Sequence, residues 1–136
     1  MMTAQRIPAK DNKYYVEKET FLTVLHFCRQ YPLWISELAA IPVPINGISY
    51  DNESVQSSSD YDSTSELAMK RAAISRKKDV VDKCARKTAG DLAKWLIMGV
   101  GHGLTYYQLH ERGIPCSRNT YYSIRHRFYY EMSKLI

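Results

Sequence analysis

No run of apolar residues approaches the roughly 20 that a membrane-crossing helix requires. The opening stretch Met1–Tyr15 has no apolar centre of the kind a secretory signal needs, so a cytoplasmic protein is expected. Cysteine is scarce and scattered: Cys28, Cys84 and Cys116 stand far apart, and an odd, dispersed set points to reduced thiols rather than a disulfide framework. Close ligand pairs such as C-x-x-C or H-x-x-x-H are missing. His110, Cys116 and His126 are near in sequence but lack that spacing, so no metal is expected. Cys116 with His110, or Cys84 with His102, supplies nucleophile and base types without any surrounding motif. The carboxylates gather in one gap and at helix starts, leaving no acid–base pair. Neither enzymatic activity nor a cofactor is expected.

What is present is an ordinary globular composition, 45% hydrophobic and 24% charged, with an uneven charge. Before Lys70 there are five Lys/Arg against nine Asp/Glu; from Lys70 onward there are fourteen against five. Clustered cations release the counterions condensed on a polyanion, so the basic half is where a nucleic acid would bind.

Periodicity predicts an all-α protein, a small multi-helix bundle. Residues 1–15 read as a flexible leader. Residues 16–44 form a helical hairpin. Its first helix runs from about Glu17 to Gln30 with Phe21, Val24, Leu25 and Cys28 on one side. Tyr31-Pro32 breaks it, and Pro32 opens a second helix with the stripe Trp34, Ile35, Leu38 and Ile41, ended by Pro42 and Pro44. Residues 45–62, rich in serine and acids, read as a disordered linker. Residues 63–136 form a basic helical unit. Ser63-Thr-Ser-Glu66 has the form of a capping box for a helix reaching about Lys87. Leu67, Ile74 and Val81 recur every seven residues there, a narrow seam that suggests a homodimer. Lys70, Arg71, Lys77 and Lys78 on its other faces are candidate phosphate contacts. Asp91 caps a further helix to about Val100. In Gly99-Val-Gly-His-Gly103 no strand precedes and no Lys-Ser/Thr follows, so these glycines end a helix rather than cradle a nucleotide.

Residues 105–135 read as a helix-turn-helix. A short helix opens at Thr105, another candidate phosphate contact, and stops at Gly113, which tolerates positive φ. Ile114 plugs the turn, Pro115 prevents continuation, and Ser117 caps the second helix. A helical wheel places Tyr121, Ile124, Phe128 and Leu135 on one face, with Met132 at its edge. Asn119, Tyr122, Ser123, His126 and Tyr130 lie opposite, flanked by Arg118 and Arg127. Arginine and asparagine can make paired hydrogen bonds to base edges, so Arg118, Asn119, Tyr122, Ser123, Arg125, His126 and Arg127 are the expected contacts to double-stranded DNA. In each tyrosine doublet, 106–107, 121–122 and 129–130, one ring is expected inside and its neighbour outside.

Tyr31-Pro-Leu-Trp34, the acidic serine-rich gap, Ser63-Thr-Ser-Glu-Leu-Ala-Met-Lys-Arg71 and Gly113-Ile-Pro-Cys-Ser-Arg-Asn-Thr-Tyr-Tyr122 together resemble phage-encoded transcriptional regulators of the ArpU/RinA type, whose ends are similar to the promoter-reading domain of sigma factors. The likeness spans most of the chain from Thr20 and is tightest in the last thirty residues. It implies a small regulator carried by a phage or mobile element. By position in the second helix, Arg118, Asn119, Tyr122, Ser123 and His126 would then read bases or phosphates. The sequence departs from that pattern between Gly113 and Thr120, which is about two residues longer than the family's G-x-S-x-x-T turn. The competing expectation is a protein-binding inhibitor or adaptor of the anti-CRISPR type, docking on RNA polymerase or another host nucleic-acid enzyme.

Overall fold

The computed structural model describes residues 8–41 and 58–136. Among the described residues, six α-helices and one 3-10 turn make up an all-α bundle: α1 (Lys18–Cys28), α2 (Tyr31–Ala40), α3 (Ser58–Ala89), the turn Gly90–Leu92, α4 (Ala93–Val100), α5 (Tyr106–Glu111) and α6 (Arg118–Ser133). Pro32 sits in the first turn of α2, where its missing N–H costs nothing. Ile41, which precedes Pro42, is extended as the proline ring demands.

The hairpin and the basic unit share one core. Val24, Cys28 and Trp34 from the first half cluster with Val81, Leu96, Phe128 and Met132 from the second, all buried. Phe21 meets Tyr129 edge to face at 4.9 Å. Tyr31 donates its hydroxyl hydrogen to Asp82 Oδ1 at 2.6 Å, tying α2 to α3. α3 and α6 run in the same direction, since Cys84 meets Phe128 and Lys87 meets Glu131 one turn further along both helices. Full burial of side chains of this size is worth about 1.5–3 kcal/mol each, so α6 is an integral part of the core rather than an appendage.

Several expected boundaries move. Residues 1–7 of the leader and 45–57 of the linker lie outside the described residues, as do Pro42 and Pro44. Residues 8–15 are not loose: Tyr14 packs on Tyr130 at 5.6 Å, and Val16 is buried behind it. Residues 58–62, assigned to the linker, are helical, so Ser63 does not begin α3. Ile74 and Val81 are buried in the chain's own core and only Leu67 is exposed, so the seven-residue stripe offers no free seam to a second copy. In α2 the inward stripe is Tyr31, Trp34, Leu38 and Ile41, while Ile35 faces solvent. Asp91 lies inside the 3-10 turn instead of capping a helix.

The glycines around residue 100 serve close packing. A side chain at Gly99 would collide with the Tyr121 hydroxyl, and one at Gly101 would meet the Ile97 carbonyl oxygen at 2.9 Å and Tyr31 Cβ at 3.0 Å. α4 thus presents a notch into which a ring of α6 fits.

Candidate nucleic-acid interface

The pair α5 and α6 is joined as the sequence suggests. Thr105 caps α5: its side chain accepts from the Gln108 N–H at 3.2 Å, and its own N–H donates to Gln108 Oε1 at 2.8 Å. At the other end Gly113 adopts φ +97°, and the N–H groups of Gly113 and Ile114 donate to the carbonyls of His110 and Leu109. That is a Schellman closure, with Ile114 buried against the same core as Leu109. Tyr106 donates its hydroxyl hydrogen to the Cys116 carbonyl at 2.6 Å and stitches the turn to α5. Ser117 caps α6 by accepting from the Thr120 N–H.

α6 is rotated relative to the expected wheel. Its buried stripe is Tyr121, Arg125, Phe128, Tyr129 and Met132, while Ile124 is half-buried and Leu135 exposed. Arg118, Asn119 and Ser123 are exposed on the opposite side, with Tyr122, His126, Arg127 and Tyr130 half-buried around them. Arg118 lies over the Tyr122 ring at 5.5 Å.

Arg125 must be removed from the expected contacts. It is 4% exposed, with its guanidinium carbon 5.8 Å from the ring centre of Tyr121, 5.5 Å from Tyr122 and 5.8 Å from Tyr129. Its neighbours four positions away on either side are core rings, and their π faces take the place of a carboxylate. Arg125 Nη2 and the hydroxyls of Tyr121 and Tyr129 are buried without hydrogen-bond partners among the described residues. Burial pushes the Tyr129 hydroxyl up to about 12, against the opposing pull of the Arg125 charge.

The candidate phosphate contacts divide. Arg71 Nη1 donates to the Leu38 carbonyl at 2.8 Å and the Ile41 carbonyl at 3.3 Å, satisfying the end of α2. Lys78 is held by Asp82 Oδ2 at 2.9 Å and lies over the Tyr31 ring. Hydrogen bonding to Asp82 raises the Lys78 pKa. Thr105 is committed to its cap. These three are structural, because each meets a partner distant in sequence or local to its helix end. Lys70 remains exposed, 3.9 Å from Glu37. Lys77 is exposed too, two turns before Cys84 and on the same side of α3, the side that faces α6.

Glu131, the sole acid of α6, is paired with Lys87 at 3.1 Å, and that bond holds its carboxyl below the usual range. The positive outer face therefore keeps its charge undiluted. The leader contributes residues that periodicity missed: Asn12, Lys13 and Tyr14 line a cleft together with Ser123 and His126. No hydrophobic pattern marks that stretch, and only its lysines hinted at it. Searched against protein families, curated proteins and solved structures, the chain matches none.

Proposed function

We propose that this chain is a sequence-reading, double-stranded DNA-binding transcriptional regulator of the phage or mobile-element kind, working in the cytoplasm by binding and not by catalysis. The observation that carries the reading is the outer face of α6. Arg118, Asn119 and Ser123 stand exposed on a capped helix whose opposite side is locked in the core, and the preceding turn closes on Gly113 and Ile114. Such a face offers paired donors to base edges from the first turns of the helix, the part that enters a major groove first. Lys70 and Lys77 add charge toward the phosphates. Selection of bound sites from random duplex DNA, followed by titration across salt, tests it. Enrichment of a defined site and an affinity falling steeply with salt are the expected results. Enrichment of no site removes sequence reading, and failure to bind any duplex at low salt removes the DNA role.

A second reading has its own observation. Leu33 and Ile35 on α2 and Leu67 and Met69 on α3 are exposed, Met69 at 69%, and each is an apolar side chain left open to a protein partner. On this reading the chain docks on RNA polymerase or another host nucleic-acid enzyme. Leu67→Ser with Met69→Ser should then abolish that association and leave duplex affinity unchanged. A double variant that still binds the enzyme rules this surface out.

A further inference from the structure

The N-terminal arm and α6 enclose an open cleft of about 260 Å3, lined by Asn12, Lys13, Tyr14, Ser123 and His126. Hydrogen bonds within the arm shape its turn. Asn12 donates its N–H to the Ala9 carbonyl, Tyr15 donates back to the Asn12 carbonyl, and Asn12 Oδ1 accepts the Tyr14 N–H at 2.8 Å. The NH2 of the Asn12 amide is the donor that this side chain can offer. Tyr14 is anchored on Tyr130 of α6. No lining residue is an acid. Lys13, whose ammonium lies over the Tyr14 ring at 5.1 Å, borders this space with the amide of Asn12 and the hydroxyl-bearing Tyr14 and Ser123. One fixed cation, neutral donors beside it and no acid suit the acceptor oxygens of a phosphodiester.

We infer that this cleft seats one backbone phosphodiester of the bound nucleic acid, held mainly by Lys13, so that arm and helix grip the strand bordering the groove that α6 enters. The inference rests on the DNA-binding reading of α6. It assigns a role to a residue that carries no base information, since Lys13 fixes register while Ser123 stands where the two contacts meet.

The test is a salt series of duplex titrations, on the selected site and on unrelated sequence, with the wild-type chain, Lys13→Ala, Lys13→Arg and Arg118→Ala. Circular dichroism melts confirm that each variant is folded. Loss of one phosphate contact lowers the slope of log K against log salt by about 0.9 and weakens binding about eightfold at 0.1 M salt. Lys13→Ala should show both changes equally on the selected and unrelated duplexes, and Lys13→Arg should bind within about twofold of wild type. A Lys13→Ala protein with wild-type affinity and slope, beside an Arg118→Ala protein that is weakened, overturns the cleft alone. Weakening without a change of slope overturns it as well. A wild-type chain that binds no duplex overturns cleft and DNA reading together.

Discussion

The inner and outer faces of α6 are built from the same residue types and have opposite fates. Arg118 and Arg125 both lie 5.5 Å from the ring of Tyr122, one in water and the other buried. A guanidinium over a ring is worth about 0.5–1 kcal/mol when exposed and about 2 kcal/mol when desolvated. The contact is therefore stronger inside, but Arg125 has spent its charge on the core while Arg118 retains its donors for a partner. Helix position, not residue type, separates a structural arginine from an exposed one.

Four experiments would break or sharpen that contrast. The largest effect belongs to the inner face: Phe128→Ala should cost about 3–5 kcal/mol in urea unfolding, because its neighbours in α3 and α1 cannot collapse into the space. A cost under about 1 kcal/mol would mean that α6 is not anchored as described. On the outer face, Arg118→Ala with Arg127→Ala should weaken duplex affinity on the order of fiftyfold at 0.1 M salt, two phosphate-scale contacts, and leave unfolding within about 1 kcal/mol. Equal affinity for wild type and double variant would erase the functional difference between the faces.

The third experiment uses pH. Burial raises Cys28 from 9.0 to about 12, Cys84 from 9.0 to about 11 and Tyr129 from 10.0 to about 12. A raised pKa on a neutral acid means stability that is complete below the unfolded value and is lost as pH climbs through the folded one. Melting temperature should hold to about pH 9 and fall between about 9 and 12, and Tyr129→Phe should make that fall shallower. A flat profile across the range would place these groups in water. The smallest effect is Arg125→Met. Among the described residues no carboxylate pairs with this guanidinium, and an apolar side chain of similar length removes a costly buried charge. Stability should change by less than about 1 kcal/mol or rise, with duplex affinity intact. A large loss of affinity in a folded Arg125→Met protein would return this arginine to the interface.

Local chemistry was readable wherever cause and effect lie within a few residues. Pro32 divides α1 from α2, Gly113 with Ile114 closes α5, and Ser117 opens α6, each by a backbone requirement that no distant contact can override. The inner doublet partners Tyr106, Tyr121 and Tyr129 were legible as a class, since only one ring of each pair can face the core. The fate of individual cations was not. Arg71 and Lys78 look like surface residues until the end of α2 and Asp82 are brought beside them. Arg125 escaped because arginine is the residue least expected inside, and its tyrosine cage is visible only once α6 is seen rotated. The arm was illegible for a different reason. Its turn is shaped by three internal hydrogen bonds and it is attached by a ring contact, none of which has a period.

The notch at Gly99 has a thermodynamic consequence. Tyr121 seats against α4 and the Schellman turn fixes the approach from α5, so α6 is ordered before it meets anything. Association through its outer face would spend little entropy on ordering this helix, and its heat-capacity change would track the surface dehydrated at the contact rather than a coupled coil-to-helix transition. Opening that notch by enlarging residue 99 would convert a rigid docking event into one that must first reorder its own helix.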